Sequence, residues 1–450
     1  MSHQNTGDIA SSIQAQIGLS HGMLPVNRPG KLWAVIELSA AGSGQTGESA
    51  DEACGKADPE RLPLNINAVL DRSGSMSGQP IEQVKQATKF LVEQIRASDV
   101  LSLTIFNHKA DVVFPSHKVT NKDIFKAAVD SIWPRGSTNL SGGLLRGYEE
   151  ALRECRPGQV NRALLLTDGM ANVGVTDPDV LSAKAGSMLE KGVSLSTVGV
   201  GLDFDEDLLI ALAEAGGGSY YYVKDAEDIP GVFSAELKGL LSVVAQGITL
   251  KVHGLSGCKV TGVLGYRPSF SDGNASLLLP DMFRDEEKWL AVEITHPALP
   301  EGEHPVLRIV LSYTDAYHDL ADTSFEVTAK LSAAPGAAEP REPNFEAIKV
   351  VELAKTAIAK DQSAEAMDTG NYREARTILE NRLATLQSLK RSVATPCSTI
   401  DSEIDLLQTL AEQITEDADL ATQSETRKDL RSQSYSVRHS QAEYREKKRS

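Results

Sequence analysis

The stretch Leu64–Gly78, LNINAVLDRSGSMSG, joins a run of apolar residues to a turn that is rich in hydroxyl groups. The apolar half has the composition of a buried β-strand, and Asp71 marks its end. The seven residues after this carboxylate, up to Gly78, include three serines and two glycines. A buried strand that ends in a carboxylate and several hydroxyls predicts a polar site at the edge of a sheet.

On the C-terminal side of this strand, further apolar runs alternate with amphipathic helical segments as far as about Val244. This alternation predicts a doubly wound α/β domain with a mostly parallel, six-stranded sheet. The predicted strands are LNINAVLD, VLSLTIFN, ADVVFPSHKV, RALLLTDG, VSLSTVGVG and SYYYVKD.

After Val244 the apolar residues recur with a period of two, which predicts antiparallel strands and, in outline, a β-sandwich. Two segments near the N-terminus, SIQAQIGL and KLWAVIELSA, share this pattern, and HGMLPVNRPG between them is predicted to be a loop. They have no partners of their own, so we expect them to complete the sandwich, with the α/β domain inserted between its strands.

The C-terminal third changes to helical composition after the Pro- and Ala-rich break AAPGAAEPREPN, and its last residues are polar and basic. We therefore expect six regions along the chain. They are N-terminal sandwich strands at 1–45, an exposed linker at 46–61, the α/β domain at 62–244, the rest of the sandwich at 245–335, an α-helical hairpin or bundle at 343–418, and a disordered basic tail at 419–450, for which docking onto the acidic body is the alternative.

Composition excludes several classes of protein. The 450 residues carry a net charge of −17, which disfavours binding to nucleic acids and to anionic membranes because both are negatively charged. The four cysteines are far apart in sequence, so neither a disulfide framework nor a zinc site is indicated. The N-terminus does not resemble a signal peptide, and no apolar run approaches the length of a membrane span, so the expected location is cytoplasmic.

Two further segments are predicted to lie near the turn after Asp71. Gly136–Asn139, GSTN, precedes a predicted helix, and Leu166–Gly169, LTDG, ends a predicted strand. Open α/β sheets bind ligands beyond the carboxyl ends of their strands, where the strand order reverses. If the first and fourth strands flank that point, five side chains converge: Asp71, Ser73, Ser75, Thr138 and Asp168.

The five side chains offer oxygen atoms alone, which is the ligand type that hard cations prefer. The set therefore predicts a metal site for Mg²⁺, with Mn²⁺ or Ca²⁺ as alternatives. Serine and threonine hydroxyls are neutral, so a dication held mainly by them retains much of its charge and attracts an anionic ligand.

These three segments resemble the metal-ion-dependent adhesion site of von Willebrand factor type A domains, the fold shared with integrin inserted domains. The resemblance covers roughly residues 60–244, and all five positions match in order. It implies that Ser73 and Ser75 bind the metal directly, Thr138 directly or through water, and Asp71 and Asp168 mainly through water. It also implies that a Glu or Asp of a partner protein completes the coordination shell. The flanking layout is similar to that of the inter-alpha-trypsin inhibitor heavy chains and of bacterial proteins with this domain.

The favoured function is accordingly a non-enzymatic, Mg²⁺-dependent module that binds an acidic side chain of a partner protein. One alternative is an adaptor subunit of an ATPase complex, as in metal chelatases, because such a subunit needs the same five ligands. The other is a Mg²⁺-dependent phosphohydrolase, in which a strand-end Asp accepts the phosphoryl group. The haloacid dehalogenase-like version of that chemistry needs a second acid two residues later, where this chain has Ser73.

Other polar clusters are assigned no ligand. Gly42–Ser49 resembles a phosphate-binding loop but has Glu48 where a lysine is required. An acidic group resembles part of an EF-hand loop, although Asp205 is better explained as a helix cap; its members are Asp203, Asp205, Asp207 and Glu214. A second cluster is expected to be a solvated turn and consists of Asp315, His318, Asp319 and Asp322. Four residues beside the metal motifs are candidates for shaping partner choice, namely Arg72, Met76, Met170 and Asn172.

Overall fold

A computed structural model describes residues 12–40, 61–316, 320–336, 339–392 and 397–439. The described residues form two compact units: one lies within Ser43–Gln246 and Pro280–Arg284, and the other within Met1–Gly42, Gly247–Leu279 and Asp285–Ser450. Several predictions fall partly or wholly outside the described residues. They concern the linker at 46–61, the phosphate-loop-like Gly42–Ser49, His318 and Asp319 of the predicted turn, and the end of the basic tail.

The chain begins with three strands, β1 (Ile13–Leu19), β2 (His21–Pro25) and β3 (Gly30–Ala40). The α/β unit follows. Its elements are β4 (Leu64–Asp71), α1 (Gln79–Gln94), β5 (Val100–Phe106), β6 (Ala110–Lys118), α2 (Lys122–Asp130), α3 (Leu140–Arg153), β7 (Val160–Thr167), α4 (Pro178–Leu189), β8 (Ser194–Val200), α5 (Glu206–Gly216), β9 (Gly217–Val223) and α6 (Ile229–Leu240).

The predicted six-stranded, mostly parallel sheet is confirmed. Its strand order is β6-β5-β4-β7-β8-β9, and β6 alone of these strands runs antiparallel to its neighbour. The order reverses between β4 and β7, which are the first and fourth strands of this unit. Leu70 pairs with Leu166, so the residues that follow them, Asp71 and Thr167, lie side by side at the carboxyl edge.

Helix α3 lies very close to the sheet, and two glycines make this approach sterically feasible. A Cβ atom at Gly143 would lie 2.5 Å from the ring of Phe106, and one at Gly147 would lie 2.3 Å from a methyl group of Val69. Any larger side chain at these positions would push the helix away from the strands. The close packing positions the start of α3, which begins two residues after Thr138.

The second unit contains two largely antiparallel sheets. The strands that follow α6 are β10 (Val243–Gly254), β11 (Lys259–Val263), β12 (Ser269–Ser271), β13 (Asn274–Leu279), β14 (Met282–Phe283), β15 (Glu287–His296), β16 (Gly302–Asp315), β17 (Ala321–Ala334) and β18 (Arg341–Pro343). Of these, β14 and the first residues of β10 belong to the α/β unit. One sheet has the order β1-β3-β15-β11, and the other has the order β12-β13-β10-β16-β17-β2-β18, with β14 paired to β10.

The N-terminal strands complete these sheets, as the sequence predicts. β3 pairs antiparallel with β1 and β15, while β2 pairs in parallel with β17. The prediction of a loop between the two N-terminal strands was wrong at His21–Pro25, which forms β2. This short run ends in proline and therefore has the local composition of a loop, but pairing with β17 and burial of Leu24 override that preference.

The C-terminal part is helical and comprises α7 (Phe345–Asp368), α8 (Tyr372–Ser392), α9 (Ser398–Gln413) and α10 (Leu420–Arg438). The prediction of a disordered tail from residue 419 was wrong for Leu420–Arg438, because α10 is ordered. The prediction failed because the segment has few apolar residues, although two of its residues, Leu430 and Tyr435, are buried. In addition, Arg427 forms an ion pair of 2.9 Å with Asp368 of α7. Basic residues of α10 thus pair with acidic residues of α7. None of the helices in the described ranges combines the length and the apolar character that crossing a membrane requires.

Candidate functional site

Asp71 is the buried anchor of the site. It ends β4, its side chain is inaccessible to solvent, and one carboxylate oxygen accepts a hydrogen bond of 2.7 Å from the backbone N–H of Ser73. The other oxygen accepts a bond of 2.6 Å from the hydroxyl of Thr167. Burial raises the pKa of Asp71 to about 6, and the nearby charge of Asp168 adds to this effect, while the two hydrogen bonds oppose it.

Two serines connect the interior of the site with its surface. The hydroxyls of Ser73 and Ser75 lie 2.9 Å apart, and the Ser75 hydroxyl donates a bond of 2.7 Å to Asp168. Ser73 is buried and Ser75 is exposed, so the row of oxygen atoms leads out to solvent. Asp168 is also largely buried, and burial raises its pKa.

Thr138 approaches the same point from the loop before α3. A Cβ atom at Gly169 would lie 3.1 Å from the Thr138 hydroxyl and 3.7 Å from the Ser75 hydroxyl. Both hydroxyls therefore border the space above Gly169, where a side chain would crowd them. The structure thus brings together all five side chains that the sequence singles out.

The Thr138 backbone is held by the loop that follows Asp168. The Thr138 N–H donates to the side-chain oxygen of Asn172 at 3.1 Å, and the Thr138 carbonyl accepts bonds of 3.3 Å from the backbone N–H groups of Asn172 and Val173. Asn172 therefore fixes the position of Thr138, although its own side chain is not one of the five predicted ligands.

Asn107 ties the same loop to the end of β5. Its side-chain amide donates to the Arg135 carbonyl at 2.9 Å, and its backbone carbonyl accepts from the N–H of Asn139 at 2.7 Å. The loop also contacts the turn after β4, because the Gly74 N–H donates to the Gly136 carbonyl at 2.9 Å. Thr167 and Asn107 were not identified from the sequence as supports of the site, since an isolated Asn or Thr beside a strand end has the appearance of ordinary turn chemistry. Asn172 was identified only as a candidate for shaping partner choice.

The electrostatics of the site suit a cation. Asp71 and Asp168 are both buried, and neither forms an ion pair with any residue in the described parts of the chain. Two neighbouring buried carboxylates without a counter-charge are unfavourable, so a bound dication would relieve both the burial cost and the mutual repulsion. The donor set of carboxylate and hydroxyl oxygens fits a hard metal such as Mg²⁺.

The rival clusters do not form comparable sites. Within the described ranges, no group of three or more His, Cys, Asp or Glu side chains is placed to hold a metal ion. Asp205 caps α5 by accepting a bond from the Leu208 N–H, which confirms its predicted role. Of the candidate rim residues, Met76 is fully buried and Arg72 is mostly buried beside Asp111, whereas Met170 and Asn172 are exposed. Met76 was therefore wrongly predicted to shape the rim.

Comparison with known proteins identifies this unit. Residues 65–235 match the model of the von Willebrand factor type A domain. The chain contains a von Willebrand factor type A domain. Such domains commonly act as metal-dependent protein-interaction modules, and the site described above lies in the type A domain of this chain.

Curated relatives are similar to part of this chain. The uncharacterized protein YfbK of Escherichia coli K12 is 32% identical over 43% of this chain and 34% of its own length. Inter-alpha-trypsin inhibitor heavy chain H2 of Sus scrofa is 33% identical over 35% of this chain and 18% of its own length. The chain thus spans about a third or less of these two relatives.

A solved structure shares the fold beyond the type A domain. A von Willebrand factor type A protein from Catenulispora acidiphila superposes with a TM-score of 0.72 over 95% of this chain and 98% of that one, at 16% identity. This likeness extends to the antiparallel strands and the C-terminal helices that flank the type A domain.

Proposed function

We propose that the protein is a Mg²⁺-dependent protein-binding module whose site captures a carboxylate of a partner. The proposed ligand set is Asp71, Ser73, Ser75, Thr138 and Asp168. By analogy with the adhesion site, the two serines contact the metal, Thr138 does so directly or through water, and the aspartates act mainly through water. Mn²⁺ and Ca²⁺ are the alternative ions.

The observation that carries this proposal is the row of oxygen atoms from Asp71 to Ser75 and Asp168. It contains two buried carboxylates, which form no ion pair within the described parts of the chain, and two neutral hydroxyls in mutual contact. A dication there would neutralise the carboxylates but keep charge toward the solvent side, where Ser75 is exposed. An acidic side chain of a partner is the natural ligand for that side.

We assign the site no catalytic role. A phosphoryl-accepting aspartate of the type considered above needs an acid two residues later, and the Ser73 hydroxyl occupies that position. The domain regions given above, including the linker at 46–61 and a sandwich continuing over 245–335, form part of the same proposal, in which the sandwich and the helices act as a scaffold or as a second interaction surface.

Metal binding is tested first, with Mn²⁺ as a probe visible by electron paramagnetic resonance and Mg²⁺ as the competitor. We expect the full chain to bind one Mn²⁺ that Mg²⁺ displaces, and Asp168→Asn to lose this binding. Asp203→Asn is the matched control, because it removes an exposed neighbouring carboxylate that is not a proposed ligand. Equal binding by wild type and Asp168→Asn would contradict the proposed ligand set.

Partner capture is tested next by affinity purification from the native lysate in Mg²⁺, in EDTA and with Asp168→Asn. The proposal is supported by a partner protein that the wild type retains in Mg²⁺ but not in EDTA and that Asp168→Asn does not retain. Changing the contacting carboxylate of that partner to an amide should also abolish its retention. The same set of proteins in all three samples would refute the proposal.

A further inference from the structure

The loops around the proposed metal site differ in chemical character along the edge of the sheet. On the β5 side lie two exposed cations, Lys109 and Arg135, and neither forms an ion pair with a residue in the described ranges. Asn107 holds the backbone of both residues, because its side-chain oxygen accepts from the Lys109 backbone N–H at 3.0 Å and its amide donates to the Arg135 backbone carbonyl at 2.9 Å. The β5 side of the site is therefore a basic rim, in which Asn107 fixes the backbone of the two cationic residues.

On the β7 side the rim is apolar. Met170, Val173 and Val175 follow Asp168, and 52%, 36% and 43% of their surfaces are exposed. Exposed apolar side chains grouped beside a polar site are typical of interaction surfaces.

The backbone that carries these apolar side chains is tied down. The Val175 N–H donates to the hydroxyl of Ser141 at 2.9 Å, and the Val173 N–H donates to the Thr138 carbonyl at 3.3 Å. Gly174 has a φ of 83° and packs so closely that a Cβ atom would lie 2.4 Å from the side-chain oxygen of Asn139. Because the loop is already ordered, a partner that covers it pays little further entropy of ordering.

Beyond the apolar rim, the chain is acidic. Asp203 is exposed and follows the carboxyl end of β8, the strand next to β7 on the side away from β4. In the strand order β5-β4-β7-β8, the edge thus runs from basic through the metal site to apolar and then acidic. Because the two sides of the metal site differ in this way, a peptide segment bound across it is expected to prefer one of its two orientations.

We propose that the partner segment is a polypeptide with an acidic residue at the metal, a second acidic residue toward Arg135 and Lys109, and an apolar side chain toward Met170 and Val173. Asp203 disfavours further acidic residues at the apolar end. This inference rests on the proposed function and adds the character and polarity of the partner. Rim charges contribute mainly to orientation and association rate, while the apolar contact adds to affinity.

The test is selection of random twelve-residue peptides displayed on phage against the full chain in Mg²⁺, with elution by EDTA. We expect the eluted peptides to share an Asp or Glu that binds the metal, with a second acidic residue on one side of it and an apolar residue on the other. Sequencing of the pool gives the enrichment at each flanking position.

Variants of the protein test which rim of the site contacts each flanking residue of the peptide. Arg135→Glu should lower enrichment of the flanking acidic residue at least about tenfold and favour a basic residue there, as expected for reversal of a close charge contact. Met170→Lys should remove the preference for the apolar residue. Arg156→Glu is the matched control, because Arg156 is exposed but precedes β7 and so lies at the amino ends of the strands. Each variant must keep Mn²⁺ binding.

The outcomes separate the two proposals. Peptides that share a single acidic residue with no preference at its flanks, or flanks that are unchanged by Arg135→Glu, overturn the inference and leave the proposed function intact. A pool released by EDTA without any shared acidic residue, or no pool released by EDTA at all, contradicts the proposed function and with it this inference.

Discussion

Replacing Asp71 by Asn should stabilise the metal-free protein while abolishing metal binding. The substitution removes the charge and keeps the shape of the side chain. Its amide oxygen is able to accept the Ser73 N–H, and its amide nitrogen is able to donate to the Thr167 hydroxyl, so both hydrogen bonds of the carboxylate have counterparts.

The size of the effect follows from the pKa of Asp71. Burial raises this pKa from 3.8 to about 6, so the folded state holds the proton more tightly than the unfolded chain does. The folded protein therefore pays no penalty at a pH below 3.8, an increasing one between 3.8 and about 6, and the full one above. At about 1.4 kcal/mol for each tenfold change in proton affinity, the full penalty is about 3 kcal/mol. A buried amide has its own cost, so we expect a net gain of about 1–2 kcal/mol for the variant.

The assay is urea unfolding of the full chain in EDTA, followed by circular dichroism at pH 7.5 and pH 4.5. Asp71→Asn should be more stable than wild type at pH 7.5, and this advantage should shrink at pH 4.5. Addition of Mg²⁺ should stabilise wild type and leave the variant unchanged, because a ligand stabilises the folded state by binding to it. Asp203→Asn, which removes an exposed charge, should stabilise the metal-free protein much less than Asp71→Asn does and should keep the stabilisation by Mg²⁺. A variant that is less stable at pH 7.5, or one whose stability follows pH as wild type does, would refute the reasoning.

Two further substitutions test the supports of the site. Asn172→Ala should weaken Mn²⁺ affinity about tenfold, because it removes the side-chain oxygen that accepts from the Thr138 N–H. Asn172→Asp keeps an oxygen there and should retain most of the affinity. An equal loss of affinity in the two variants would contradict a positioning role for Asn172. Gly147→Ala should lower the free energy of unfolding by about 1–3 kcal/mol, since its Cβ would lie 2.3 Å from a methyl group of Val69. The matched Gly231→Ala, with no atom within 4 Å of its Cβ, should raise it by up to about 1 kcal/mol, and a similar loss at both glycines would argue against the steric explanation.

The sequence was sufficient for the α/β sheet and for the convergence of the five side chains. Strands β4 and β7 are buried, mostly apolar segments that end in Asp71 and Thr167, so the extent of each strand is visible in the sequence. The topology of an open sheet then indicates the site, because two of the three motifs follow the strands that flank the reversal of strand order.

Elements whose stability comes from distant partners were not predictable in the same way. β2 has the composition of a loop and becomes a strand through pairing with β17. α10 is polar along most of its length, and its order depends on burial of Leu430 and Tyr435 and on ion pairs with α7. In both elements tertiary contacts outweigh local preference, and nothing in the local pattern identifies the partner.

The supports of Thr138 show the same limit inside the site itself. Asn107 is completely buried and bonds to Lys109, Arg135 and Asn139, while Asn172 bonds to Thr138 from the opposite loop. The position of the threonine hydroxyl is therefore set by three loops that bond to one another rather than by the motif around it. Metal affinity should accordingly respond to changes in Asn107 and Asn172 even though neither is a proposed ligand. The motif determines which atoms are available to the cation, and the bonded loops determine whether those atoms are held at the distance that the cation requires.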